Sequence, residues 1–497
     1  MRPPLSRPWS PTGTFAATTL ATALAACTTV GPDFKPPAPP TVAGYTRGAL
    51  PASFGGTDGS AEQRLVTAKQ VAPDWWTSFG SPRLDALVAQ ALQNSPTLAA
   101  AEATLRQAEQ LYAAQAGATL YPTVGARLGA SRNGTNAAAT GQSGQATRIY
   151  NLVNASVAVS YNFDLFGANR RALEALAAQA DAQRYQLAGA RLTLAANVVT
   201  TAITQAQLSA QIEATEAILG AQRSQLDIAR KRFELGAIAK GDLLTLQTQF
   251  EQTRAGLPPL RNARAQAEHL LALLAGAAPA STAIPSFTLA EFTLPAQLPL
   301  VLPSELARQR PDIQASTALL HAATAQYGVA VSNLYPQINL SASLGSQALS
   351  AGALFGPGSM VWSLAGQLAQ PLFNAGLKSG ANAAEASLQA AGANYRQTVL
   401  QALRNVADAL RALDEDAQAL QAQAAADASA QAALGIVTQQ NQLGAASQLQ
   451  LLVAQQQAQQ ARLGLIAARG QRLTASAALY QALGGGVLDA APVAAHP

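Results

Sequence analysis

Two stretches of this chain run for 68 and 69 residues without a proline, Ala168 to Leu235 and Ala375 to Leu443. Each stops at a Leu-Gly pair, Leu235-Gly236 and Leu443-Gly444. Proline disrupts a helix interior and glycine closes a helix at its C-terminal end, so each stretch reads as one very long helix with a tight turn at its tip. The surroundings are duplicated as well. Leu120-Tyr121-Pro122 opens a run of alternating apolar and small polar residues, and Leu334-Tyr335-Pro336 opens another. Internal repetition of this kind decides the architecture ahead of any single motif. Each half reads helix, strand, strand, very long helix, return helix. The expected organisation is a signal peptide over 1–26, a tether with packing residues over 27–80, a first repeat over 81–276, a linker over 277–303, a second repeat over 304–486 and a disordered tail over 487–497.

The helix lengths are matched. An inbound helix from Leu84 to Ala118 and a return helix from Lys240 to Ala275 together equal the first long helix to within a turn; Glu305 to Leu334 and Ala446 to Leu483 do the same for the second. The short helices are therefore expected to stack end to end along the long one, in a rod of about 100 Å at 1.5 Å per residue. Pro258-Pro259 is expected to break the first return helix about 25 Å from its tip. The proline-rich linker, with Phe287, Leu289 and Phe292, is expected to pack at that level as a belt of non-helical chain. Composition fits closely approaching helices: 115 residues are alanine and only 12% are charged. Alanine is the best helix former and leaves room for a neighbour.

The strands alternate strictly. Val124, Ala126, Leu128 and Ala130 interleave with Thr123, Gly125, Arg127 and Gly129; Val153, Ala155, Val157, Val159, Tyr161 and Phe163 interleave with asparagine, serine and alanine. Ile338, Leu340, Ala342 and Leu344, then Trp362, Leu364, Gly366 and Leu368, repeat the pattern. A soluble sandwich and a membrane barrel both accommodate such alternation. Lengths near ten residues match the ~9–11 that a tilted strand needs to cross a bilayer. Four strands cannot close a barrel, which takes about eight, and an open edge in lipid leaves backbone groups unsatisfied. Membrane strands here require several copies of the chain to share one barrel.

The N-terminus has its own signal. Arg2 and Arg7 precede a short apolar stretch from Phe15 to Ala26, and the chain's one cysteine follows in Leu24-Ala25-Ala26-Cys27. This reads as a lipobox with Cys27 as the acylated residue; a plain secretory signal is the alternative. The stretch is far shorter than the ~20 residues of a spanning helix. Thr28, in place of an aspartate, favours the outer membrane. Residues 28–45 carry Gly31-Pro32-Asp33, Pro36-Pro37 and Pro39-Pro40, an extended tether. Asp74-Trp75-Trp76 and Phe79 then serve either to pack that tether against the body or as membrane-interface residues. The net charge of +5 is small and scattered, so no nucleic-acid partner is expected. His269, His321 and His496 show no ligand spacing, and no nucleophile-base pair or phosphate loop is present, so neither a cofactor nor catalysis is expected.

These residues carry a resemblance. Cys27 with Gly31-Pro32-Asp33, Asp74-Trp75-Trp76, Arg310-Pro311-Asp312-Ile313, Leu334-Tyr335-Pro336 and the tips Phe233-Glu234-Leu235-Gly236 and Leu443-Gly444 occur in the order found in TolC/OprM-type outer membrane factors. The chain is most similar to their NodT-like lipoprotein branch, which serves RND efflux pumps. The resemblance implies a mainly α protein with a membrane β-barrel portion: a long α-helical coiled-coil tunnel plus four β-strands per protomer, joined as a shared 12-stranded barrel in a homotrimer. It implies an outer-membrane exit duct for drugs or other small toxic molecules. Its partners would be a periplasmic adaptor (membrane fusion) protein, an inner-membrane RND transporter and outer-membrane lipid. Type I protein secretion and metal or aromatic-acid efflux stay open within transport. Outside transport, a lipid-anchored coiled-coil scaffold explains the helices and Cys27 but gives the strands no role.

The family's gate lies at the periplasmic tips. Aligning the turn glycines Gly236 and Gly444 pairs Asp242 with Gln450. Leu449 falls at the family's apolar aperture position, Val453 where an acidic ring residue is common, and Ala446 where a basic residue is common. Closure is then expected to rest on Leu449 and Val453 excluding water, unless both simply pack between neighbouring helices. Asp242 is expected to act as a first-turn acid at a helix N-terminus.

Overall fold

The computed structural model describes residues 29–42, 44–48, 51–55, 62–68, 70–135, 148–281 and 284–486. The signal peptide, Cys27 and the C-terminal tail lie outside the described residues. In chain order the elements are β1 (Ser53–Phe54), β2 (Gln63–Thr67), α1 (Pro82–Asn94), α2 (Pro96–Thr119), β3 (Thr123–Thr135), β4 (Arg148–Phe163), α3 (Ala168–Glu234), α4 (Lys240–Leu274), β5 (Gln297–Leu300), α5 (Pro303–Gln309), α6 (Pro311–Ser332), β6 (Gln337–Ala348), β7 (Met360–Ala369), α7 (Ala375–Gln442) and α8 (Gln448–Ala482). The protein is mainly α, with two tandem repeats of the expected order, and α3 and α7 fill the two proline-free runs.

Three expectations about helix continuity are corrected. The inbound helix of each repeat is two helices. Ser95 is extended between α1 and α2, and Arg310 is extended between α5 and α6. Pro96 and Pro311 cause this, because a proline ring clashes with an α-helical conformation at the residue before it. Conversely, Pro258-Pro259 does not break the return helix; both prolines lie inside α4. Their missing N–H groups orphan the carbonyls of Arg254 and Ala255, and all four residues lie on an exposed face where water can take those bonds. The belt is accordingly not at Pro258. Phe287, Phe292, Leu298 and Val301 of the linker share one core with Leu271 and Ala275, at the other end of α4.

The chain forms two compact units, and each draws on both repeats. The first unit, Met1–Pro36, Arg106–Asp181 and Thr317–Asn394, contains an antiparallel sheet in the order β3-β4-β6-β7. The central pairing of β4 with β6 joins the repeats; it sets Val157 opposite Leu344 and Tyr161 opposite Leu340. β3 and β7 are the edges.

The second unit, Pro37–Leu105, Ala182–Ser316 and Tyr395–Pro497, holds the principal core. Phe79, Leu84, Val88, Val198, Ile203, Leu271, Leu298, Leu306, Leu410 and Leu479 are buried together there. Trp75 stacks on Tyr480 with ring centroids 5.2 Å apart, and Trp76 packs beside it. The tryptophan pair therefore anchors chain to the body. A small sheet, β1-β2-β5, completes the unit: β1 runs antiparallel to β2, and β2 runs parallel to β5 in the linker.

Candidate functional site

The four-stranded sheet has one apolar and one polar register. Val124, Val159 and Ala342 lie in one row with Leu364; Ala126, Val157, Leu344 and Trp362 form the next. On the other register, Thr123 faces Ser160, which faces Ser341, and Asn162 faces Asn339, which faces Gln367. Hydroxyl pairs stitch this polar side, Thr123 to Ser160 at 2.7 Å and Ser343 to Ser363 at 2.8 Å. Every residue of β7 is exposed, so both of its faces and its outer edge are free within one chain. Aromatic residues gather at one end of the strands. Tyr161 meets Phe163 edge-on, Phe166 stacks on Tyr335 at 4.9 Å, and Tyr121 and Phe373 are exposed. An apolar band bordered by aromatic residues is the signature of strands facing lipid.

The helix tips close alike and open differently. Gly236 and Gly444 both adopt positive φ, which a side chain would strain. The N–H of Ala237 reaches back to the Arg232 carbonyl, and that of Ala445 to Gln440, both at 2.8 Å. These six-to-one bonds end α3 and α7. After the turn, α4 is preceded by Ala239 as its N-cap, with no side-chain capping bond, and carries Asp242 in its first turn. By contrast, α8 starts with a reciprocal capping box. The Ser447 N–H donates to Gln450 Oε1 at 2.7 Å, and the Gln450 N–H donates to Ser447 Oγ at 3.2 Å. Gln450 thus has a capping role beyond its alignment with Asp242, and the Ser-x-x-Gln spacing is the local signal for it.

Leu449 and Val453, one turn apart, are 66% and 43% exposed. The opposite side of α8 is buried, where Leu452 packs with Leu246 of α4 and Leu226 and Ala229 of α3. Within one chain, then, Leu449 and Val453 project away from the helical packing, as does Asp242 on α4. Leu235 and Leu443, at the turns themselves, are the barest leucines of the tips, at 83% and 85%.

Buried polar clamps hold the irregular chain. Gln205, fully buried on α3, accepts from the Phe287 N–H at 2.8 Å and fixes the linker. Arg472 on α8, 1% exposed, donates to the Leu413 carbonyl and to the Phe54 carbonyl of β1. Burial lowers its pKa to about 10, with Asp416 and Asp414 opposing the shift, so it stays charged at neutral pH. Arg310, extended before Pro311, donates to the Ala482 carbonyl at 2.7 Å and grips Asp312 through two bonds of 2.9 and 2.7 Å. In the other unit Arg171 bonds Asp33 of the tether at 2.6 Å and Glu174 at 2.7 Å. Glu174 also meets His321, whose ring stacks on Phe34 at 4.3 Å. A Cβ on Gly31 would lie 2.6 Å from the Cα of Gly328, so the tether docks where only glycine fits. Gly31-Pro32-Asp33 is thus a docking motif. Spacing alone did not reveal these contacts, whose partners lie as many as 418 positions away.

Comparison with known proteins agrees with this geometry. The family model described as "Outer membrane efflux protein" matches residues 87–277 and 302–485. Nodulation protein T of Rhizobium leguminosarum bv. viciae is 30% identical over 97% of this chain and 95% of its own length. Pyoverdine export outer membrane protein OpmQ of Pseudomonas aeruginosa is 32% identical over 83% of this chain and 87% of its own. Among solved structures, the outer-membrane channel OprN superposes with a TM-score of 0.83 at 26% identity, covering 92% of this chain and 99% of that one. The Campylobacter jejuni CmeC channel shares the fold, with a TM-score of 0.82 at 20% identity over 93% and 95%. The chain belongs to the outer membrane efflux protein family.

Proposed function

We propose that this outer-membrane protein is the exit duct of a tripartite efflux pump, a homotrimer that passively conducts drugs or other small toxic molecules from an adaptor and an inner-membrane RND transporter to the exterior. The sheet carries this reading. Four antiparallel strands with an apolar register and two open edges cannot stand alone in lipid, since each unpaired backbone group there costs several kcal/mol. Pairing β7 of one copy with β3 of the next removes every edge. Three copies give the twelve strands that the family resemblance implies. Cys27 is the acylation site, and Gly31-Pro32-Asp33, only four residues on, docks against Gly328 and Arg171.

The tips serve as the gate in this reading. Leu449 and Val453 line the aperture and close it by excluding water, with Asp242 as the acid of the matched tip and Gln450 held in its cap. Leu235 and Leu443 are the apolar points an adaptor would cover. Relatives of similar identity carry names that span toluene efflux, antibiotic efflux and pyoverdine export, which supports a duct that leaves cargo selection to the pump.

Purified full-length protein in detergent should have the mass of three chains, migrate as a heat-modifiable oligomer, and form channels in a planar bilayer. An elongated soluble monomer without conductance would favour the scaffold instead. Deleting the gene should sensitise cells to several unrelated drugs at once; loss of a single secreted protein would favour type I secretion.

A further inference from the structure

The membrane segments hold no acid. Residues 110–163 and 313–384, which include all four long strands and their connections, contain neither aspartate nor glutamate. The first segment carries three arginines, Arg127, Arg132 and Arg148. The nearest acid after it, Asp164, is engaged at the start of α3, where it accepts from the backbone N–H groups of Asn169 and Arg170 at 3.1 and 3.0 Å. Strand register sorts the arginines. Arg127 lies opposite Ser156, which lies opposite Gly345, so it stands in the polar register beside a small side chain and a glycine. Arg148, at the far end of β4, shares that register, whereas Arg132 belongs to the apolar one.

We propose that the barrel of this channel prefers anions and that Arg127 sets the preference. The inference rests on the duct reading above. With lipid on the apolar register, the polar register lines the water-filled lumen. Three copies then place three Arg127 guanidinium groups at one height, each permanently charged, with no carboxylate on any strand to neutralise them. A ring of one sign in a pore raises the local concentration of the opposite ion. The range of that field is about 10 Å at 0.1 M salt and about 3 Å at 1 M, so the preference is salt-dependent. Small molecules bearing a carboxylate or phosphate would leave through this section faster than cations of the same size.

The test is the reversal potential of full-length channels in planar bilayers under a potassium chloride gradient. The expected wild-type result is chloride favoured over potassium, more so at 0.1 M than at 1 M. Arg127→Gln should bring the ratio towards one and Arg127→Glu should invert it. Arg132→Gln, on the other register, should leave it unchanged. Equal reversal potentials for the wild type, Arg127→Gln and Arg127→Glu would overturn the proposal. Orientation is read separately with an anionic methanethiosulfonate, using the wild type as the control for Cys27. Arg127→Cys should react from the aqueous phase and Leu128→Cys should not; the reverse pattern also overturns it. Failure of the wild type itself to conduct after insertion would overturn the duct reading, an outcome distinct from an unselective channel.

Discussion

The two helical hairpins are copies in length and opposites in where they put polarity. Both return helices have 35 residues, α4 starting at Lys240 and α8 at Gln448. A displacement of 208 positions therefore superposes one hairpin on the other. At matched places, buried Gln205 stands against buried Leu413, Leu208 against Asp416, and partly exposed Arg264 against fully buried Arg472. The first repeat thus places its buried hydrogen-bonding group on the long helix and uses it to hold the linker. The second places it on the return helix and uses it to hold β1. The two hairpins share their lengths, and differences at a few core positions give each a different strap of irregular chain to carry. The tips diverge in the same way, with charge at the start of α4 and a neutral capping box at the start of α8.

The comparison can be broken at its strongest point first. Arg472→Ala should cost about 3 kcal/mol, because it leaves two buried carbonyls short of a donor and opens a cavity. Gln205→Leu should cost about 2 kcal/mol for the single orphaned Phe287 N–H. Thermal unfolding followed by circular dichroism in detergent gives the order; equal losses would mean that the straps are held redundantly. At the tips, Val453→Asp should raise single-channel conductance and antibiotic leak severalfold, while Thr245→Asp at the matched site of the first repeat leaves both unchanged. Matching increases in the two would remove the assignment of the aperture to the second repeat. Next in size, Ser447→Ala should cost about 1 kcal/mol of local stability, seen as faster amide exchange over the first turn of α8. The smallest effect concerns Asp416, whose pKa is raised by burial, with Arg472 and Gln471 opposing. A carboxylate whose folded pKa is raised stabilises most below its unfolded value, and that stability is lost as pH rises through the folded value. Asp416→Asn should therefore stabilise at pH 7, and the gain should shrink as the medium is acidified towards about pH 4. A gain independent of pH would mean that the carboxylate's charge is not what the second hairpin tolerates.

Much of this fold is legible in local patterns, and the exceptions share one physical cause. The long helices end within one residue of their Leu-Gly pairs, because a left-handed glycine and a six-to-one bond need only neighbouring residues. The strands follow their alternation for the same reason. Proline is the harder signal. Its cost depends on whether the carbonyl it orphans can reach water and on what the preceding residue touches. At Pro258-Pro259 the residues whose carbonyls are freed, Arg254 and Ala255, are exposed and the helix continues, while the residues four before Pro96 and Pro311, Leu92 and Ala307, are half-buried and buried and the chain turns. The clamps of Gln205, Arg310 and Arg472 depend on partners far along the chain, which periodicity does not record. The capping box of Ser447 and Gln450 was within reach of spacing alone and explains where α8 begins.

The bare edges of β3 and β7 also constrain how the protein is made. A lone chain offers the bilayer a sheet with two rows of unpaired amides, so its membrane form has no stable one-copy precursor. On the duct reading, copies must find one another before or during entry into the membrane, so assembly includes a meeting of molecules as well as the folding of each. Such a step depends steeply on concentration. Cells that produce the chain slowly should accumulate unassembled material in the periplasm, exposed to proteases there, while modest increases in synthesis should raise the number of finished channels more than proportionally.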